Sequence, residues 1–293
     1  MLLIIPADHR AFDMKISFSH QSNQFEVDMS QGHDISRPVH FLSSPEAEPA
    51  FVPRASRKPF SSGDFVGAVE RGGPCNVDHL DWIPHCHGTH TETVAHILKY
   101  PWDTLAKDVE HTVPVVSDIC PKKFFKAALI TVEPIKASDS EDTYRPNFND
   151  TDRIVTGQGV EKALATIDVG QVDAIVLRTD ETLYSFNSGP GTPFLSVEGM
   201  RAIVKSGVDH LLLDLPSVDR LDDDGHLTAH HIFWNVPEHE SVATKETWLH
   251  KTITEMVTID TALKDGLYLL NLQCAPFVSD ASPSRAVIYP AKS

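Results

Sequence analysis

The chain has 293 residues, with 41 Asp and Glu against 25 Lys and Arg and a formal net charge of −16. That balance argues against nucleic acid, whose phosphates are met by a basic surface that releases counterions, and equally against docking on an anionic membrane. With 41% hydrophobic and 23% charged residues the composition is that of a soluble globular chain with ample material for a core. We read it as one domain over 1–293.

The first residues, Met1 to Arg10, hold a short apolar run with no basic region before it and with Asp8 and His9 directly after. The run is too short to span a bilayer and poor as a signal peptide. Cys75, Cys86, Cys120 and Cys274 show no paired spacing, as expected of reduced thiols in a cytoplasmic protein. Cys274, beside an apolar run, is expected in the core. Residues 1–30 are expected to form an N-terminal arm, and the Ser-, Pro- and Ala-rich stretch 44–63 a surface loop or arm.

Ala127 to Glu133 is the first clear strand, apolar and β-branched. A polar, turn-rich loop follows over about 137–154. Val160 to Asp168 has a helical pattern, Ala174 to Thr179 is a strand, and Val197 to Ser206 is a helix with Ser196 as its N-cap and Gly207 as its stop. His210 to Leu215 and Leu267 to Gln273 are further strands. Short continuous apolar runs fit strands buried on both faces, and their alternation with helices predicts an α/β domain.

The densest chemistry lies in Pro84 to His96, where four imidazoles, the Cys86 thiol and the Glu92 carboxylate crowd around a Gly88-Thr89 bend. His, Cys and Glu are the side chains that bind borderline metals such as zinc. On an extended strand His90 and Glu92 share a face and could bind one ion. Asp222 to Gly225 reads as a solvated acidic turn. Gly189-Pro190-Gly191 lacks the Lys-Ser/Thr of a phosphate-binding loop, and no Gly-x-Ser-x-Gly elbow is present. Spacing alone leaves His230-His231 as an element start with one solvated imidazole. Glu255, in an apolar stretch, calls for a metal or a salt bridge.

His87-Gly88-Thr89-His90-Thr91-Glu92, followed by His96, resembles the His-x-Gly-Thr-His-x-Asp-x-Pro-x-His signature of the cyclase family of metal-dependent hydrolases, which includes bacterial kynurenine formamidase and isatin hydrolase. Gly88, Thr89, His90 and His96 match; Cys86 stands in the first His position, Glu92 in the Asp position and Val94 in the Pro position. Asp34-Ile35-Ser36, Phe194 to Glu198, Asp214 to Asp219, Ala229-His230 and Thr254-Glu255 resemble later family segments in the same order.

The resemblance implies a swivelling β/β/α domain, a small barrel-like sheet flanked by helices with a metal site at its edge. It implies one or two divalent ions, Zn(2+) or Mn(2+), held by His90, Glu92, His230 and Glu255 together with Cys86 or His87, with His85 a further rival if the register shifts by one. His96 falls in the place of the catalytic histidine, and an imidazole can move protons near neutral pH. Asp214 and Asp219 are expected to order a loop or support ligands. The implied activity is an amidohydrolase of arylformamidase type, acting on a formyl-amide or cyclic amide, in a homodimer or homotetramer. The alternatives are another hydrolase or a dehydratase acting on a lactam or lactone, or a non-catalytic metal- or ligand-binding protein on the same fold.

Overall fold

The computed structural model describes residues 14–20, 23–41, 52–99, 114–119, 124–167, 171–179 and 191–292. The expected features at Cys120, Asp168, Gly189-Pro190 and the first residues of the chain lie outside them.

Seven strands close into a barrel. They are β1 (His90–Thr93), β2 (Phe124–Thr131), β3 (Ala174–Arg178), β4 (His210–Leu213), β5 (Thr252–Glu255), β6 (Gly266–Cys274) and β7 (Ala281–Lys292). The circuit runs β7-β6-β2-β3-β4-β5-β1 and returns to β7. β2 to β5 are mutually parallel; β6, β7 and β1 join antiparallel. Parallel neighbours need long crossovers, and three of the four α-helices among the described residues lie on them. After α1 (Val116–Ile119), α2 (Gly157–Ala165) lies between β2 and β3, α3 (Val197–Lys205) between β3 and β4, and α4 (Thr228–Trp234) between β4 and β5.

The apolar strands feed two cores because alternate side chains point to opposite faces. Ala174, Val176, Leu129 and Leu212 point inward, packing with Leu270, Leu272, Ala286 and Ile288 inside the barrel. Ile175, Leu177, Ile130, Leu211 and Leu213 point outward against Met200 and Ile203 of α3 and Phe233 and Trp234 of α4. Side chains of this size fill a barrel of seven strands.

The expected caps are present. Ser196 Oγ accepts the Gly199 N–H at 2.8 Å, and Gly207 ends the helix with φ +80°. α2 begins at Gly157, earlier than expected, because Thr156 caps it through the Gly159 N–H at 3.1 Å.

Several loop expectations are revised. Within the 1–30 arm, Lys15–His20 pairs antiparallel with Asn23–Asp28, and Val27 pairs with Ala291 of β7. Within 44–63, Ser56–Pro59 pairs with Asp78–Asp81, and Ser61–Ser62 with Phe65–Val66. Half of the 137–154 stretch is exposed, but Tyr144 is buried against Phe194 and Ile154. Cys274 is half-buried at the end of β6 rather than in the core. Asp223 is buried, accepting the Gly225 and Leu227 N–H groups, so the acidic turn is not wholly solvated. No helix among the described residues is long and apolar enough to cross a membrane.

Candidate metal centre

The bend before β1 is built by backbone constraint. Gly88 sits at φ +78°, and a Cβ there would lie 2.8 Å from the Arg37 carbonyl oxygen and 2.9 Å from Val39 Cγ2; only glycine fits such a left-handed, crowded turn. Thr89 pins the bend from the other side. Its Oγ1 donates to the Met256 carbonyl at 2.6 Å and accepts the Arg37 N–H at 2.7 Å. The start of β1 is thereby fixed beside the end of β5. Met256 itself takes φ +58° immediately after Glu255, a sparsely populated conformation of the kind that gathers at functional sites.

The ladder does the rest. His90 pairs with Glu255 and Glu92 with Ile253 across β1 and β5. His90 and Glu92 therefore share the outer face on which Ile253 packs toward the helices. His90 is fully buried, and its Nε2 lies 3.4 Å from Glu255 Oε2. Glu255 Oε1 accepts the Val218 N–H at 2.9 Å, which holds its second oxygen toward His90.

α4 brings the opposing imidazole. Leu227, in its N-cap position, offers no capping side chain. Asp219 supplies the cap from the preceding loop, accepting the Ala229 N–H at 2.6 Å and the His230 N–H at 3.1 Å. The same carboxylate accepts the Tyr144 hydroxyl at 2.7 Å and contacts His230 Nδ1. With Nδ1 committed there, His230 Nε2 faces Glu92 Oε1 at 2.9 Å. His231 points elsewhere, with Nδ1 3.2 Å from the Val236 carbonyl.

Glu92 Oε2 faces the bend, 3.1 Å from His85 Nδ1 and 3.8 Å from His96 Nε2. Asp280 closes that side, with Oδ2 2.9 Å from His85 Nε2 and 3.6 Å from His96 Nδ1. The His85 and His96 rings lie 4.3 Å apart between the two carboxylates. Two clusters of closely spaced donor atoms result, His85-Glu92-His96 and His90-Glu92-Glu255, sharing Glu92.

The structure thus brings together His90, Glu92, His230, Glu255 and His96. Cys86 and His87 join neither cluster. His87 is buried facing away, with Nδ1 accepting the Ile83 N–H at 2.9 Å and Nε2 3.0 Å from the Pro53 carbonyl. Cys86 is half-buried; burial, and Glu255 nearby, push its thiol pKa up. Asp280 went unrecognised in sequence because Ser279-Asp280-Ala281 carries no motif. It reaches the site because Ala281 pairs with Glu92.

Electrostatically the cluster is overloaded with carboxylates. Burial would raise the Glu92 pKa, but the imidazoles of His96 and His230 hold it well below the usual carboxylate range. Burial would lower His230, but Glu92 and Asp219 carry it well above the ordinary imidazole value. His85 is likewise opposed by burial, yet Asp280 and Glu92 lift it to about 10. Two atoms remain stranded: Glu92 Oε2 and His90 Nε2 are buried without a hydrogen-bond partner among the described residues. Their neighbours lie at ion-pair distance but not in hydrogen-bond alignment. Buried polar atoms are almost always satisfied, and a cation bound between them would satisfy both. Imidazole and carboxylate donors are the ligand types of zinc and manganese sites, so these residues fit a divalent metal.

A sequence profile of the Cyclase family matches residues 13–220. Kynurenine formamidase of Bacillus cytotoxicus is 33% identical over 130 residues, covering 44% of this chain. The match spans about half, 55%, of that relative's length. Isatin hydrolase A from Labrenzia aggregata, solved bound to benzyl benzoate, superposes with a TM-score of 0.55 at 14% identity over 88% of this chain and 93% of its own. Isatin hydrolase A from Ralstonia solanacearum gives 0.54 at 14% identity over 88% and 91%. At that identity the structural likeness is one of fold. With the profile covering more than half of its length and the fold in agreement, the chain belongs to the Cyclase family.

Proposed function

We propose that this protein is a metal-dependent amidohydrolase that cleaves a formyl-amide or a cyclic amide. The observation that carries the reading is the pair of stranded buried atoms, Glu92 Oε2 and His90 Nε2, inside a nest of carboxylates and imidazoles. His90, Glu92, His230 and Glu255, with one further residue from the bend, would hold one or two ions of zinc or manganese. Glu92 belongs to both clusters, which suits a carboxylate shared between two ions. Such an ion would supply Lewis acidity and lower the pKa of bound water to roughly 7.

The chain's own residues do the proton work. The His96 and His85 side chains are 26% and 24% exposed, whereas Glu92 between them is 1% exposed; of these two accessible imidazoles, His96 is the one in the place of the signature's catalytic histidine. It takes a proton from the attacking water and returns it to the leaving nitrogen. Glu92 and Asp280 on either side orient the ring. Asp219 and Tyr144 keep His230 in register.

An aryl-formamide substrate is supported by the kynurenine formamidase relative, and ring-opening of a cyclic amide by the isatin hydrolase fold. A homodimer or homotetramer accompanies this reading. The deciding experiment measures metal per chain in purified protein, then formate release from N-formylkynurenine and ring-opening of isatin by the metal-loaded protein. Turnover of either substrate that stops on chelation and returns with zinc or manganese supports the proposal. A metal-loaded protein inert toward both would exclude these two substrates. A protein that takes up neither ion would overturn the hydrolase reading.

A further inference from the structure

Cys86 occupies the place where the family signature puts its first histidine, yet it joins neither donor cluster. His85, one residue earlier, does. Its Nδ1 lies 3.1 Å from Glu92 Oε2. Ligand bonds of about 2.0–2.2 Å put neighbouring donor atoms on one ion roughly 3–3.5 Å apart, so the spacing suits a shared ion. The other nitrogen, Nε2, lies 2.9 Å from Asp280 Oδ2. A ligating imidazole whose second nitrogen is held by a carboxylate is the usual outer-shell arrangement of metal sites.

Asp280 is itself well placed to hold a ligand. Its carbonyl accepts the Thr93 N–H at 2.9 Å, and the next residue, Ala281, pairs with Glu92 in the ladder. The backbone that aligns Glu92 therefore also aligns Asp280. His85 is further wedged by its neighbours, tilted against the His96 ring at 4.3 Å and edge-on to the His90 ring at 5.3 Å. His87 is removed from competition because its two nitrogens face the backbone of Ile83 and Pro53.

We propose that His85, rather than Cys86 or His87, is this chain's metal ligand from the bend, and that Asp280 is the positioning residue that orients it. The assignment rests on the metal-site reading above. It explains how a chain with cysteine in the motif's first histidine position keeps an imidazole at the site: the ligand has moved back by one residue, and Asp280 anchors it.

The test is titration of the metal-free protein with Co(2+), followed by visible and near-ultraviolet absorption, for the wild type, Cys86→Ser, His85→Ala and Asp280→Asn. Circular dichroism of each metal-free variant checks its fold. The wild-type spectrum should lack a thiolate-to-metal charge-transfer band, and Cys86→Ser should bind with unchanged spectrum and affinity. His85→Ala should lose at least tenfold in affinity with an altered visible spectrum. Asp280→Asn should lose roughly 10–100-fold. A charge-transfer band that disappears in Cys86→Ser would assign the ligand to the thiol and overturn the proposal. So would unchanged affinity in His85→Ala. If His85→Ala does not fold, the Cys86→Ser spectrum and the Asp280→Asn affinity still decide. A wild-type protein that binds no Co(2+), Zn(2+) or Mn(2+) defeats the metal-site reading itself, an outcome distinct from metal held through sulfur.

Discussion

Asp219 and His230 are locked together twice: the carboxylate caps the backbone N–H of His230 and also meets its ring Nδ1. One residue therefore sets both where α4 starts and which imidazole nitrogen faces Glu92. Replacing Asp219 by Asn should weaken zinc binding by roughly 10–100-fold. Asp219→Ala should in addition destabilise the metal-free protein by about 2–4 kcal/mol, since it leaves the donor of the buried Tyr144 hydroxyl and two helix N–H groups without their acceptor. Metal titration and urea unfolding of both variants check this; wild-type affinity in Asp219→Asn would show that His230 needs no anionic partner.

His96 is assigned to proton transfer rather than to holding the metal. His96→Ala should retain the full metal content per chain and lower kcat by roughly 10² to 10⁴. Elemental analysis and turnover are measured on the same preparation. Unchanged turnover removes His96 from the mechanism; lost metal with lost turnover makes it a ligand instead.

Gly88 has no room for a side chain and no neighbouring residue that could move cheaply, because a Cβ would first meet the Arg37 carbonyl. Gly88→Ala should destabilise the protein by about 2–4 kcal/mol, combining the left-handed backbone cost with displacement of the Arg37 segment. Because the bend carries both His85 and His90, the melting-temperature increase on adding zinc should shrink as well. A variant that melts like the wild type, with and without zinc, would mean that the bend does not set the site.

Asp214 offers a pH test away from the metal ligands. Burial lifts its carboxyl from 3.8 to about 6, against the lowering effect of hydrogen bonds from the Thr179 N–H and hydroxyl. Between about pH 4 and 6 the folded state keeps a proton that the unfolded chain releases. Stability should therefore fall as pH rises through that window and level off above it. Asp214 is partly exposed, so solvent screening reduces the loss to about 1–2 kcal/mol. Asp214→Asn should be more favourable relative to wild type at pH 7 than at pH 4 by about that amount. Equal differences at the two pH values, from urea unfolding of metal-free protein, would show that Asp214 titrates normally.

The strands over Ala174–Arg178 and His210–Leu213 were legible because a strand buried on both faces must be apolar throughout, and α3 because its Ser196 cap and Gly207 stop bracket an amphipathic run. β7 was not legible. It is the strand that closes the barrel, yet Pro283 and Pro290 interrupt its pattern, and proline within a run argues against a strand. The sequence pattern places the start of α2 at Val160, three residues late, because Gly157 and Gly159 are poor helix formers, and only the Thr156 cap shows where it starts.

At the site, the two-residue spacing of His90 and Glu92 by itself determined that they share a face, since strand side chains alternate. The family motif likewise singled out His230, Glu255 and His96 as partners. Which member of His85-Cys86-His87 turns inward depends on the torsions of a bend held by Arg37, Thr89 and Met256, contacts between residues far apart in the chain. That Asp280 stands behind His85 follows from the pairing of Ala281 with Glu92. Local pattern encodes periodicity and capping; strand register and barrel closure arise from long-range pairing, and only the tertiary structure decided them.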